Sequence, residues 1–397
     1  MMSPTTSRAG SRIDAHQHFW RYSPGEHGWI DDRMALLRRD FLPADLEPAI
    51  RAAGMDGVIS VQSRQKIEET LWLLEFAHRH DYIRGVVGWA PLADPDLPDL
   101  LGPLAANRRL KGLRHILQGE PDEHYMLRED FGAGIRALGE FGLVYDILIL
   151  ERQLPQTIEF VDRHPRQVFV VDHLAKPRVR EGLLSPWREN ISKLARRPNV
   201  YCKVSGLATE ADWSSWTAAQ LRPYLDTVLD AFGPGRLMFG SDWPVCLLAA
   251  SYHRWNEVVR EYASALSASE QERLLGGTAT EVYRLEDSGA AMRFGSVLRL
   301  KPEAVERYKE YHAAVWPEVQ DMIRKCNIRN YSIYFKDWYL FGYYEYTGSD
   351  HERDMAKMAA DPKTGEWWSI MSPMQEPLAS RKPGEWWAEM EEFFHMD

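Results

Sequence analysis

A (β/α)8 barrel followed by a small α+β, ferredoxin-like domain is the fold this 397-residue sequence predicts, and three observations predict it. Short β-rich runs recur eight times with amphipathic stretches between them, the alternation that builds a parallel sheet wrapped by helices. Polar residues with chemistry to offer collect at the C-terminal ends of those runs, where such a barrel carries its site. Beyond residue 285 the pattern resets to strand–helix–strand–strand–helix, the order of a ferredoxin-like sandwich.

The eight runs are 12–18, 57–63, 83–90, 110–116, 143–150, 168–174, 200–206 and 237–243. Several are continuously apolar, as in Val168-Phe-Val-Val171, which suits strands buried on both faces. Helical periodicity fills 69–80, 131–141, 154–164, 187–196 and 221–232, and a last helix is expected over 269–283. The domains are expected at 11–286 and 292–397, joined by the polar, small-residue stretch Glu286-Asp-Ser-Gly-Ala-Ala291. Met292 then reads as the former first residue of an independent protein. The second domain predicts a strand at 293–300 and a helix at 303–325 that Pro317 kinks or restarts. Strands at 328–335 and 339–346, a helix at 350–360 and a Trp-rich tail follow. One face of that sheet needs cover, which predicts a homodimer through the C-terminal domain.

A net charge of −10 argues against nucleic acid and anionic membrane as partners. Cys202, Cys246 and Cys326 are widely spaced and form no C-x-x-C pair, which excludes a disulfide framework and fits a reducing cytoplasm. The start, MMSPTTSRAGSR, has no apolar core of a signal peptide, and no run is long enough to span a membrane. Fifteen tryptophans serve either core packing or stacking on sugar rings, and composition does not separate the two.

The first constellation pairs Asp14-Ala-His-Gln-His18, ending the first run, with Gly240-Ser-Asp-Trp-Pro244, ending the eighth. His16 and His18 point the same way because side chains alternate along a strand. Asp242 faces them across a closed barrel, and His-x-His plus a distant Asp holds a metal or positions a water. Alone, His-x-His is more often incidental; Asp242 and His173 at matching strand ends reverse that balance. Lys203 on a buried strand is costly unless paired or functional. Arg114 either acts on substrate or neutralises a carboxylate in the barrel mouth, and Trp89 is wall or stacking platform.

With Lys111-Gly-Leu-Arg-His-Ile-Leu-Gln118 and Asp172-His-Leu-Ala-Lys-Pro177, these motifs make residues 11–285 resemble the amidohydrolase superfamily, in its sugar-lactonase branch. L-fuconolactonases and L-rhamnonolactonases are the nearest likeness. The resemblance implies lactone hydrolysis, an acyl transfer to water. Asp242 is then the base, and it returns the proton to the departing ring alkoxide. The oxyanion donor comes from Arg114, His115, His173 or Lys203, or from one divalent metal, zinc, held by His16, His18 and Asp242. Trp89 and Asp146 are placed as substrate-binding. Metal-dependent members of the superfamily carry a further ligand from the middle strands, whereas here the fifth run reads Val144-Tyr-Asp146. Whether a metal is obligatory stays open at this stage.

In the second domain Tyr308, His312 and Trp316 recur at i, i+4 and i+8 and share one helix face. Trp316 suits a core stripe; a histidine beside a tyrosine on that face suggests a polar pocket. Tyr308-x-x-x-His312-x-x-x-Trp316-Pro-Glu318, Asn330-Tyr-x-Ile-Tyr334 and Trp367-Trp-x-x-Met371 resemble the L-rhamnose mutarotase family. That likeness implies anomer interconversion of a 6-deoxy sugar without metal or cofactor. His312 is the main acid–base group, Tyr308 and Tyr331 assist, and Trp367 or Trp368 forms the apolar wall. Together the two resemblances imply small sugar and sugar-lactone substrates, with L-fucose favoured over L-rhamnose. A separate dehydrogenase would make the lactone between the two steps. The alternatives are the L-rhamnose series, a decarboxylase or other hydrolase on the same barrel, and a sugar-binding protein that has lost its chemistry.

Overall fold

A computed structural model of the protein describes residues 11–285, 292–348 and 351–395. The N-terminal residues read for a leader, 1–10, and the linker 286–291 lie outside the described residues. The chain forms two compact units that divide between Leu285 and Glu286.

In the first unit, β1 (Ile13–Gln17), β2 (Gly57–Val61), β3 (Ile83–Gly88), β4 (Leu110–His115), β5 (Val144–Ile147), β6 (Phe169–Val171), β7 (Val200–Val204) and β8 (Leu237–Phe239) form one eight-stranded parallel sheet in sequential order. The intervening helices are α1 (Pro43–Ala52), α2 (Ile67–Arg79), α3 (Leu97–Ala105), α4 (Glu129–Glu140), α5 (Leu154–Arg163), α6 (Trp187–Leu194) and α7 (Ala218–Phe232), with α8 (Tyr252–Ala263) after β8. This is the barrel the alternation predicts. The strands are shorter than the apolar runs because the C-terminal residues of each run leave the ladder to build the mouth. Helices α1, α3 and α8 have no counterpart in the sequence reading; α1 and α3 each carry an internal proline, Pro48 or Pro103, which blurs the helical signal. The helix expected at 269–283 is broken into α9 (Ala268–Glu272) and α10 (Thr278–Val282). Gly276 lies in the break, where a Cβ would come within 1.9 Å of the Ser11 carbonyl.

Two apolar layers hold the barrel. Leu46, Leu73, Leu101, Phe131, Phe160, Trp187 and Trp255 pack between strands and helices. Ile13, Ile59, Val87, Val170, Met238 and Tyr283 fill the interior. The seam is closed by the loop after β8. Ser241 N donates to Asp14 Oδ1 (2.8 Å), Asp242 N to the His16 carbonyl (2.8 Å), and His18 N to the Trp243 carbonyl (2.7 Å). Asp14, pushed up to about 6 by burial, also accepts from Tyr252 at 3.1 Å. This seam brings Asp242 against the two histidines of β1.

The second unit comprises β9 (Met292–Leu300), α11 (Val305–Ala313), α12 (Pro317–Lys325), β10 (Ile328–Lys336), β11 (Tyr339–Tyr346), α13 (His351–Ala359), α14 (Pro362–Met371), β12 (Gln375–Glu376) and β13 (Ala388–Met390). The sheet runs β10-β11-β9-β12, with β13 also pairing with β9. This is ferredoxin-like order, with the fourth strand broken into two pieces along β9. Pro317 restarts the helix rather than kinking it. The Trp-rich tail, to which the sequence reading assigned no elements, contributes α14 and both short strands. Leu298, Leu300, Tyr308, Val319, Leu340, Trp367 and Met371 form the core between sheet and helices. Among the described residues no helix is long and apolar enough to cross a membrane.

Candidate active sites

The C-terminal ends of β1, β6 and β8 converge on a buried cluster. His16 Nε2 and His18 Nε2 lie 3.1 Å apart, and Asp242 Oδ1 is 3.7 Å from the first and 3.3 Å from the second. His173 Nε2 reaches the same oxygen at 3.9 Å. His18 Nδ1 lies 2.8 Å from the Val61 carbonyl, which can only accept, so this nitrogen carries the proton and Nε2 presents its lone pair. His16 Nδ1 faces Asp172 Oδ1 at 3.2 Å, which favours a proton there and a second lone pair at Nε2. Two imidazole lone pairs and a carboxylate oxygen thus point at one another.

Electrostatics sharpens this arrangement. Burial works to raise Asp242, but the surrounding imidazoles of His173, His18 and His16 outweigh it and hold its carboxyl well below the usual carboxylate range. Burial drives His173 down to about 4 and His16 well below its ordinary value. Asp242 is therefore an anion beside the neutral imidazoles of His16 and His173. It sits at φ +58°, the left-handed region that costs a non-glycine residue about 1–2 kcal/mol. The hydrogen bonds of the seam sustain that conformation.

Below this cluster lies a charged floor. Lys203 is fully buried, 2.5 Å from Asp146 Oδ2 and 3.1 Å from Asp172 Oδ1. Tyr283 donates to Asp146 Oδ1 at 2.8 Å, and Arg114 Nη1 to Asp172 Oδ2 at 2.9 Å. Burial pushes Asp146 up to about 6 against the pull of Lys203. Burial also opposes the charge on Asp172, but Lys203, His16 and Arg114 outweigh it and hold its carboxyl well down. Lys203 and Asp146, expected to act on substrate, are spent on one another, and Arg114 neutralises Asp172. These residues position His16. Replacing Lys203 with Met leaves the buried Asp146 without a cation and Asp172 with Arg114 as its remaining counter-charge, and lowers the unfolding free energy by about 3–5 kcal/mol. Urea denaturation measures it, and a loss under 1 kcal/mol would contradict a structural ion network.

Two other expected residues lie elsewhere. His115 follows Arg114 on β4 and so faces the opposite side of the strand. Its ring stacks on Tyr125 (5.1 Å), and Nε2 lies 2.6 Å from Glu120. With Trp89, whose indole N–H is 3.4 Å from His115 Nδ1, it lines a cavity of about 380 Å³ with Pro91, Leu92 and Tyr125. Neither residue joins the His16–Asp242 cluster. Ser205 does: its hydroxyl is 2.9 Å from His173 Nδ1, and its place at the end of the seventh run was the available signal.

The second unit has its own polar pocket. His312 stacks on Tyr308 (4.1 Å) and meets Trp367 edge-on (5.6 Å). Its Nδ1 lies 2.9 Å from the Tyr308 carbonyl, so Nδ1 carries the proton and Nε2 is the basic atom. Burial lowers the His312 pKa. Gln375 donates to the Tyr308 hydroxyl at 3.2 Å and accepts from the Trp386 indole at 2.7 Å. Nothing in the sequence marked Gln375 or Trp386, which reach the pocket through the broken fourth strand. Tyr331 meets Tyr344 edge-on at 5.7 Å. Trp367 is the wall; Trp368 points outward, 42% exposed, and is not part of it.

The amidohydrolase family profile matches residues 13–285, and the L-rhamnose mutarotase profile matches 293–396. The chain belongs to the amidohydrolase family, with an L-rhamnose mutarotase-family segment at its C-terminal end. An L-fucono-1,5-lactonase of Burkholderia multivorans is 44% identical over 70% of this chain and 98% of its own length. An L-rhamnose mutarotase of Oceanobacillus iheyensis is 30% identical over 26% of this chain and 98% of its own length. A crystal structure of an amidohydrolase from Burkholderia multivorans with bound zinc superposes with a TM-score of 0.68 at 45% identity. It matches 70% of this chain and its own whole length. In this amidohydrolase, His16, His18 and Asp242 form one possible metal-holding group, and His16, Asp172 and His173 another.

Proposed function

We propose that the barrel hydrolyses L-fucono-1,5-lactone to L-fuconate and that the C-terminal unit interconverts the anomers of L-fucose. The observation that carries the first half is the convergence of His16, His18, His173 and Asp242 at the mouth of a barrel that is 44% identical to a lactonase. The second half rests on a basic His312 Nε2 in an aromatic pocket.

The donor set fits one divalent metal ion, because two imidazole lone pairs beside a carboxylate repel one another until a cation sits among them. His16, His18 and Asp242 would hold it, and zinc suits this nitrogen and oxygen set. Bound there, the ion would supply positive charge to the carbonyl oxygen and acidify water. Asp242 takes a proton from the attacking water as its oxygen bonds to the lactone carbonyl carbon. When the ring carbon–oxygen bond breaks, Asp242 returns that proton to the alkoxide. His173, held by Ser205, faces the same oxygen and orients it. In the C-terminal unit, His312 Nε2 takes the proton of the anomeric hydroxyl while a second donor, the Tyr308 hydroxyl, protonates the ring oxygen. The hemiacetal opens and recloses on the other face, and Gln375 orients Tyr308.

Hydrolysis of a panel of L-fucono-, L-rhamnono-, D-arabinono- and L-galactonolactone, followed by acid release, tests the barrel assignment. Preference for the fuconolactone is expected. A second reading substitutes L-rhamnose for L-fucose, favoured by the family of residues 293–396. Preference for the rhamnonolactone would select it, and no hydrolysis with or without zinc would overturn both. We place the enzyme in a reducing compartment, which its three free, buried cysteines suit. The sheet of the C-terminal unit turns Tyr334 (64% exposed), Tyr339 and Met390 away from its helices. We propose that two copies pair through this face, so sedimentation velocity of the intact chain should report a dimer at micromolar concentration.

A further inference from the structure

Between β6 and α6 the chain takes a conformation that non-glycine residues rarely adopt. His173, Leu174, Ala175 and Lys176 have φ of 52°, 54°, 57° and 49°, one left-handed turn without a glycine. Its apolar members are buried, and the Trp187 indole clamps the Leu174 carbonyl at 2.7 Å. Gly206 opposite lacks the Cβ that would come within 2.6 Å of His173 Nδ1. One end of this turn sets His173 against Asp242. The other end delivers Lys176, the last residue of the turn, to Glu210 in the loop after β7.

Lys176 and Glu210 are close but not bonded. Nζ and Oε1 stand 3.9 Å apart, beyond hydrogen-bond range, with the side chains 21% and 27% exposed. Among the described residues neither side chain takes part in another ion pair or in a hydrogen bond. Burial pushes the Glu210 carboxyl up, Lys176 opposes it, and the charge of Asp242 adds to the rise, so the pair stands within electrostatic reach of Asp242. Lys176 likewise acts on His173. A three-donor ammonium and a carboxylate therefore share a half-buried place beside the cluster, with their hydrogen-bonding capacity unspent.

We propose that Lys176 and Glu210 form the hydroxyl-recognising subsite of the barrel, with one substrate hydroxyl between them. That hydroxyl accepts from the ammonium and donates to the carboxylate. An oxygen about 2.8 Å from each atom bridges such a gap, which a direct hydrogen bond does not. The subsite rests on the lactonase reading, and it explains why a barrel built for ester chemistry selects a polyhydroxylated ring. The strained turn ties the two functions, since it positions His173 and Lys176 together. Neither Lys176 nor Glu210 touches the reacting atoms; both position the substrate.

The test compares L-fucono-1,5-lactone with unsubstituted δ-valerolactone in the intact enzyme and in its Lys176→Met and Glu210→Gln variants. For the fuconolactone, kcat/KM should fall about tenfold or more, mainly through KM, as expected when a buried charged partner of a hydroxyl is lost. For δ-valerolactone it should change less than about twofold. Calorimetric binding of L-fuconate should weaken in parallel. Equal losses on both lactones would mean a merely structural pair and would overturn the proposal, as would unchanged KM and fuconate affinity in both variants. Should the wild type hydrolyse neither lactone, the lactonase reading fails, and fuconate binding still decides the subsite. Glu210→Gln changes a residue outside the strained turn, so misfolding of one variant leaves the other to decide.

Discussion

Asp242→Asn abolishes lactone hydrolysis, lowering kcat by about 10³-fold or more, and leaves mutarotation at the wild-type rate. General-base assistance alone is worth about 10²–10⁴-fold. The amide cannot take a proton from water, cannot return one to the ring alkoxide, and offers a neutral oxygen in place of one arm of the candidate metal-holding group. The substitution is nearly isosteric, and the backbone N–H of Asp242, which donates to the His16 carbonyl, is retained. The seam therefore stays closed and the barrel stays folded. Acid release from the lactone and polarimetric mutarotation of the sugar, measured on one preparation, check both halves. Hydrolysis within tenfold of wild type would remove Asp242 from the base role. Loss of both activities from a folded protein would sink the two-site reading.

His312→Ala should do the converse. Mutarotation falls about 10²–10³-fold, while lactone hydrolysis is unchanged. The His312 ring stacks on Tyr308 and borders Trp367, so truncation also opens space in the pocket. His312→Gln keeps the volume, lacks the base, and should be as inactive as the alanine variant. The pH profile carries an independent signature. The active form is neutral His312, and burial shifts its pKa below the ordinary 6.5. Mutarotation therefore stays on its plateau as pH falls through 6.5 and declines only below it. An acid limb centred at or above 6.5 would identify a different group as the base.

The barrel was legible because parallel strands buried on both faces are continuous apolar runs, and such runs survive without tertiary context. Helices α1, α3 and α8 were not; mid-helix prolines interrupt the local signal of the first two. The fourth strand of the C-terminal sheet was not either: β12 and β13 are two and three residues long, held by pairing with β9 rather than by their own propensity. At the sites, the sequence placed His16, His18, His173 and Asp242 at strand ends, and the structure brings these four together. It read Arg114 and His115 as neighbours in one role, although a strand sends adjacent side chains to opposite faces. Alternation announces that separation, but not which of the two enters the barrel.

What the sequence determined by itself is therefore the eight barrel strands and their order, the reset to a second domain, and the end of the barrel where polar groups gather. All of these follow from local periodicity and the covalent geometry of strands. Only the tertiary structure decided who partners whom. Lys203 looked like a reagent until Asp146 and Asp172 surrounded it, and it is a left-handed turn that sets Lys176 beside Glu210. Such partnerships join residues from different strands and loops, and their energies depend on burial and on distances of a few ångströms. Both exist only once the barrel has closed.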